Sequence, residues 1–175
     1  SLTENRGVAN ARIHGLNMAS GNIVAFCDSD DKWCDDKLEI QLEYIEKFDI
    51  VSSCYVEIDC AGKVLRERHG KEIVKKEDLF WINRIPLSGA IVNRDVIKSH
   101  RFLDIGHEDY VFWQDLFRSS ENLVAYRVPK ILFKYRKCGN SLSSNKIRSI
   151  LWHLRAVLRN ICYNGINRWR GFCRV

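Results

Sequence analysis

The chain is predicted to fold as an α/β domain, a sheet with helices packed against it. Three observations carry this expectation. The runs NIVAFC at 22–27 and IVSSCYVEI at 50–58 are apolar and rich in β-branched and aromatic residues, as buried strands are. Between them, DKLEIQLEYIEK at 36–47 sets Leu38, Leu42 and Ile45 on one helical face, with acidic residues near its start. The length of 175 residues, 46% hydrophobic and 29% charged, gives enough apolar surface for one core and too little chain for several.

The remaining elements follow along the chain. Residues 8–19 (VANARIHGLNMA) have small and apolar residues at helical spacing, and Gly21 closes the helix. After the strand at 50–58, Asp59 to Lys63 with Gly62 supplies a turn. Residues 64–80 are mixed and highly charged and define no firm element. SGAIVN at 88–93 reads as a strand, 95–99 as a helical turn, and EDYVFWQDLFRS at 108–119 as a helix with carboxylates at its start. Pro129 interrupts the apolar runs of 123–136, which predicts two short strands or one bent strand. Residues 146–163 place Ile147, Ile150, Leu151, Leu154, Val157, Leu158 and Ile161 on one helical face, with Arg148, Arg155 and Arg159 along a flank beside Trp152.

Composition narrows the function. No run of about 18 apolar residues is present, so no membrane-spanning helix is expected. The chain opens at Ser1 without an initiating Met, so an upstream segment is expected. The seven Cys show no C-x-x-C pair, which argues against a structural zinc; several lie in apolar runs, and reduced thiols rather than a disulfide framework are expected. Charge is unevenly divided. Residues 1–121 hold 22 acidic and 16 basic side chains, whereas 122–175 hold 12 basic and none acidic. That asymmetry predicts an anionic partner for the C-terminal part: nucleic acid, an anionic membrane or a phosphorylated substrate.

The segment IVAFCDSDD at 23–31 is the most informative. An apolar strand delivers Asp28, Asp30 and Asp31 at its C-terminal end, where open α/β sheets bind ligands. Crowded carboxylates repel unless a cation or several donors offset the repulsion. The D-x-D spacing lets two carboxylates face one hard cation, Mg²⁺ or Mn²⁺, which in turn bridges to phosphate oxygens. Taken alone, the tripeptide reads first as a solvated acidic turn capping the helix that starts near Asp35, since short motifs often match by chance.

Context separates the two readings. Asn5, Gly7, Ala11, Arg12, Gly21, Asp28, Asp30, Trp33, Asp36, Lys37, Leu38 and Gln41 stand in the order N-x-G-x-x-x-A-R, Gly turn, strand, D-x-D, aromatic, D-K-L-x-x-Q. This arrangement resembles the family 2 glycosyltransferases of the GT-A (nucleotide-diphospho-sugar transferase) fold, and the resemblance extends more weakly to about residue 145. It implies a partial GT-A domain over 1–145, a mixed sheet flanked by helices and lacking its first strands, followed by a basic amphipathic helix and tail over 146–175. The family's first strand and uracil-binding acid are expected upstream of Ser1.

The resemblance also implies roles. Asp28 would contact the ribose and metal side, Asp30 would ligate Mg²⁺ or Mn²⁺, and Arg12 and Asn5 would contact the nucleotide. In HEDYVFWQDLF at 107–117, the E-D pair matches the family's catalytic segment, with Asp109 as base and Glu108 supporting it or binding acceptor. A base is needed to take the proton of the acceptor hydroxyl as it displaces the diphosphate with inversion. By itself the pair reads as two acids favoured electrostatically at a helix N-terminus, and the first motif is what turns the reading to catalysis. Ser88 and Gly89 in PLSGAIVN would lie near the donor sugar, Gly89 letting backbone approach ligand. Arg136, Lys137 and Ser141 in YRKCGNSLSSN are candidates for diphosphate contact. Cys138 replaces a family His and is a poor ligand for hard cations. Ile13 stands where the family has Asn.

The activity implied is transfer from a UDP-sugar to a glycan or lipid-linked acceptor in surface polysaccharide synthesis. The setting implied is cytoplasmic, peripheral at the inner face of the plasma membrane, with the tail on anionic lipid and no nucleic acid bound. A C-terminal helix packed on the domain, with solvated arginines, fits the tail pattern equally. A metal-dependent nucleotidyltransferase and a basic nucleic-acid-binding module are the alternative readings of the whole chain.

Overall fold

A computed structural model describes residues 7–138 and 146–172, with side chains as far as Tyr163. Helix α1 (Gly7–Met18) leads into β1 (Ile23–Ala25), β2 (Lys32–Trp33) and α2 (Lys37–Ile45). The long strand β3 (Ile50–Ile58) is followed by β4 (Val64–Arg68), β5 (Ile73–Val74), and 3₁₀ turns at Lys76–Leu79 and Leu87–Gly89. Then come β6 (Ile91–Asn93), α3 (Arg94–Ile97), α4 (Glu108–Ser119), β7 (Ala125–Arg136) and α5 (Lys146–Phe172).

The strands form one mixed sheet in the order β1-β6-β3-β7-β2, with β4 added to β3 and β5 to β7. Only β3 and β7 run parallel; the other pairs are antiparallel. The period of two along a strand distributes its side chains between two cores. Ile50 and Val92 join Phe112, Trp113 and Leu116 of α4 on one face. Val51 and Ile91 join Ile45, Val128 and Leu132 on the face covered by α2.

Several expectations are corrected. Residues 64–80, which gave no firm element, contain β4 and β5. The predicted strand at 88–93 begins only at Ile91, because Leu87–Gly89 turns first as a 3₁₀ segment. Pro129 produces one bent strand rather than two. Ser53 pairs with Val128 and the next residue, Cys54, with Ile131, so Pro129 and Lys130 bulge out of the ladder where no amide is required.

Helix α2 turns a different face inward from the one its leucines suggested. Leu38 and Leu42 are exposed, while Lys37, Gln41 and Ile45 are buried. The polar pair is satisfied internally. Lys37 Nζ donates to Gln41 Oε1 at 2.6 Å and lies 4.2 Å from the centre of the Trp33 ring, and burial lowers its pKa to about 8. Gln41 Nε2 donates to the carbonyls of Val51 and Gly89 at 3.0 and 2.8 Å. Cys60 and Cys138 are joined as a disulfide, where reduced thiols were expected; Cys54 is a buried free thiol.

Helix α5 packs its first half on α4. His153 stacks on Tyr110, Arg159 pairs with Asp115 at 2.6 Å, and Arg118 donates to Asn160 at 3.2 Å. Its buried side is Ala156, Val157 and Asn160. Ile147, Ile150, Leu151, Leu154, Leu158 and Ile161 are exposed. The apolar stripe read from sequence is thus split, with Val157 inside and the rest on the surface. Among the described residues no helix is long and apolar enough to cross a membrane.

Candidate active site

Two segments distant in sequence meet at the C-terminal end of β1. The first is the loop 26–31. The second is the start of α4, reached through a tight turn in which Gly106 (φ 74°) and His107 (φ 44°) both adopt left-handed backbone. A side chain at Gly106 would collide with the Trp152 ring of α5 at 2.2 Å, so only glycine fits there. His107 Nε2 lies 3.1 Å from the Ser149 carbonyl. The C-terminal helix therefore braces the turn that delivers Glu108 and Asp109.

Arg12 of α1 joins the two segments. Its guanidinium donates to Asp28 Oδ1 at 2.6 Å and to Glu108 Oε1, and lies over the Phe102 ring, 5.4 Å from its centre. It is only 13% exposed, so solvent screens these pairs weakly. The Asp28 amide donates to Ser88 Oγ at 3.0 Å, and Trp33 Nε1 donates to the Ser88 carbonyl at 2.8 Å. Arg12, Asp28, Glu108 and Ser88 thus form one connected group.

Asp109 is partly buried, and Asn83 Nδ2 donates to its Oδ2 at 2.8 Å. Burial raises its pKa, and adjacent Glu108 raises it further, against the opposing pull of Arg12. Asp31 Oδ1 accepts the Arg136 amide at 2.9 Å, but its Oδ2 is buried without a partner. Burial lifts the Asp31 pKa to about 6. The Asp30 side chain is exposed and makes no hydrogen bond or ion pair with the described residues.

Arg136 spends its guanidinium on the main chain. Nε donates to the Asp30 carbonyl at 2.9 Å, and Nη1 to the Asp59 and Cys60 carbonyls at 3.1 and 3.0 Å. It fastens the acidic loop. Lys137 pairs with Glu57 at 3.1 Å. Gly89 is buried, and a Cβ there would meet the Phe133 ring at 2.6 Å, so the packing against Phe133 already requires glycine there. Asn5 and Ser141 lie outside the described residues.

Two cavities open on this group. The larger, about 870 Å³, is lined by Arg12, Asp28, Asp30, Glu108, Asp109 and Trp152. The smaller, about 410 Å³, is lined by Ser88, Asn83, Arg84 and Arg127 as well as Asp28 and Asp109. Asp28, Asp109 and Tyr135 belong to both. Sequence reasoning missed Tyr135, Asn83 and Arg127. Tyr135 is held protonated by burial and by the surrounding carboxylates. The polar Asn83 inside the apolar stretch FWINRIPL was the one available signal for its place in the site.

The donor set fits a Mg²⁺-like ion of open coordination. Asp30 offers an unpartnered carboxylate and Asp28 a second, with the orphaned Asp31 oxygen behind them. Among the described residues no group of three or more His, Cys, Asp and Glu forms a cage. Two carboxylates with the remaining positions left to substrate phosphate and water is the habit of Mg²⁺ sites.

The sequence matches the family described as "Glycosyl transferase family 2" over residues 1–138. It is 30% identical over 180 residues to an uncharacterized glycosyltransferase of Haemophilus influenzae, covering 97% of this chain and 72% of that protein. It is 34% identical over 149 residues to the putative teichuronic acid biosynthesis glycosyltransferase TuaG of Bacillus subtilis, covering 83% of this chain and 58% of that protein. It is 30% identical over 147 residues to WfgD of Escherichia coli, a UDP-Glc:alpha-D-GlcNAc-diphosphoundecaprenol beta-1,3-glucosyltransferase, with 83% and 57% covered. The fold matches the crystal structure of S. aureus TarS 1–349 in complex with UDP-GlcNAc at a TM-score of 0.62 and 17% identity, covering 79% of this chain and 41% of that one. The chain thus spans a little over half the length of TuaG and WfgD.

Proposed function

Given that the chain belongs to glycosyl transferase family 2, we propose that it carries the donor site and base of an inverting transferase that moves a sugar from a UDP-sugar to a glycan or lipid-linked acceptor in surface polysaccharide synthesis. The supporting observation is the junction of two cavities at Asp28 and Asp109. A two-substrate displacement needs two compartments with the base at their meeting point. UDP-sugars and a diphosphoundecaprenol-linked sugar are named for WfgD, and UDP-GlcNAc for the TarS complex.

In this reading the larger cavity takes the donor. Asp30 and Asp28 would hold a divalent ion, which when bound supplies charge neutralisation for the diphosphate. Arg12 compensates the carboxylates of Asp28 and Glu108, Asn5 would complete the donor side, and Ser88, on the wall of the smaller cavity, holds the Asp28 amide where the two cavities meet. The acceptor comes through the smaller cavity. Asn83 fixes one oxygen of Asp109, leaving the other to take the proton of the acceptor hydroxyl. The hydroxyl oxygen bonds to the anomeric carbon, the bond to the diphosphate oxygen breaks, the diphosphate leaves with the electron pair, and configuration inverts. A raised Asp109 pKa makes its ionised form the stronger base.

The C-terminal helix is assigned to an anionic membrane surface. Six large apolar side chains exposed along α5, on a segment with 12 basic and no acidic residues from 122 onward, fit interfacial binding. A panel of UDP- and GDP-sugars with Mn²⁺, scored for nucleotide release on the protein with its upstream region, tests the reading. UDP release from at least one UDP-sugar is expected. Phosphate or nucleotidyl transfer without sugar transfer would overturn it.

A further inference from the structure

The smaller cavity contains a cation that the transfer chemistry does not use. Arg127 of β7 is only 8% exposed, yet no carboxylate of the described residues lies within salt-bridge distance of it. Its Nη2 donates to the Arg84 carbonyl, and its Nε is buried with no hydrogen-bond partner. Burial presses its pKa down, and neighbouring Arg84 adds to that. A buried guanidinium without an anion is costly, and proteins keep one where a ligand supplies the missing charge. The surroundings are built for it. A side chain at Gly70 would overlap Arg127 Nη1 at 1.7 Å, so that loop leaves the guanidinium its space.

Arg84 lines the same cavity and makes no ion pair among the described residues. Of the other basic side chains on its wall, Arg68 pairs with Glu57 and His69 Nε2 lies 2.9 Å from Glu67. The carboxylates lining the cavity are also engaged, Asp28 with Arg12 and Asp109 with Asn83. Arg127 is therefore the buried charge without an anion among the described residues, and Arg84 beside it is exposed, with Asp78 as its nearest acidic influence and its guanidinium free to meet a ligand. They are tied to the base through a short path: Arg127 bonds Arg84, Arg84 follows Asn83, and Asn83 bonds Asp109.

We propose that Arg84 and Arg127 form an anion subsite for the acceptor, holding a phosphate or carboxylate group carried close to the hydroxyl that Asp109 deprotonates. The subsite rests on the transferase reading for its purpose, though not for its existence. Guanidinium groups suit both anions because their forked donors match paired oxygens.

The test uses the protein with its upstream region, in EDTA, where the donor-side carboxylates repel anions. Inorganic phosphate is titrated at constant ionic strength and followed by ³¹P line broadening; acetate is titrated in parallel through its methyl resonance. Saturable broadening is expected. It should weaken about tenfold or more in Arg84→Gln, since charge-assisted hydrogen bonds are the strong ones. Lys98→Gln, which removes an equal charge from the exposed turn after α3, should keep it. Arg127→Lys, checked for folding by its melting curve, should also weaken it. Stronger binding of phosphate than of acetate assigns a phosphorylated acceptor, and the reverse order an acidic sugar. Non-saturable broadening, or equal affinity in Arg84→Gln and the unsubstituted protein, overturns the subsite. UDP-sugar hydrolysis with Mn²⁺ is measured on the same preparation. Its absence beside intact phosphate binding would count against the transferase reading and leave the subsite standing.

Discussion

Replacing Arg12 by Met removes the charge that links Asp28 to Glu108 while keeping most of the side-chain volume over Phe102. Breaking a buried ion pair by deleting one partner costs about 3–5 kcal/mol. Asp28 is 34% exposed, which reduces the loss to about 2 kcal/mol. For a chain of this length that corresponds to a fall in Tm of about 4–8 °C. A purely structural role would end there. In this site the loss also removes Arg12, the largest of the influences that pull the Asp109 pKa down, leaving burial and Glu108 opposed only by the Tyr110 amide and His107. The ionised fraction of the base then falls at any given pH, so the acidic limb of the kcat/KM profile moves to higher pH. Calorimetry and a pH profile on the same variant measure both. A Tm within about 1 °C of the parent, with an unmoved acidic limb, would refute the bridging role.

Three further outcomes are expected. Asp31 has a folded pKa of about 6, above its ordinary value of 3.8, so its contribution to stability is full at pH below 3.8 and is lost as pH rises through 6. In EDTA, the parent should lose about 1–2 kcal/mol relative to Asp31→Asn between pH 4 and pH 7, and parallel stability curves would count against it. Gly89→Ala drives a methyl into the Phe133 ring and should cost about 1–3 kcal/mol by urea unfolding, with Phe133→Leu restoring part of it. Vesicles rich in anionic lipid should sediment the protein at low salt, less at high salt, and much less after Leu154→Glu with Leu158→Glu. Sedimentation that ignores both salt and substitution would reject the helix as the contact.

The sheet was legible where pattern and local chemistry agree. β3 and α4 were read at their observed bounds, because one is a continuous apolar run and the other begins with two carboxylates and ends in polar residues. β2 was not legible. Two residues have no period, and Lys32–Trp33 is a strand only because β7 lies beside it. Helix α2 misled for a similar reason. Its leucines suggest a buried stripe, but Gln41 is needed to satisfy the Val51 and Gly89 carbonyls, and this tertiary demand rotates the helix.

In the site, the resemblance gave Arg12, Asp28, Glu108 and Ser88 separate roles, and the contacts that join them, with 96 residues between Arg12 and Glu108, come from the structure. What it could not give was the pairing itself. Arg12 touches both carboxylates, Arg136 binds carbonyls, and Gly89 is filled against by a ring. Asn83 and Arg127 lie in segments with no motif, and their place follows only from the way β7 and the 83–87 loop meet.

The most direct measurement compares Asp109→Asn with Asp30→Ala in UDP binding with Mn²⁺ and in sugar transfer, using the protein with its upstream region. Asp109→Asn should bind UDP as the parent does and lose transfer by about 10²-fold or more, the scale of general-base catalysis. Asp30→Ala should lose both. Full transfer by Asp109→Asn, or unaltered Mn²⁺-dependent UDP binding by Asp30→Ala, would contradict the division of the site into a donor side and a base.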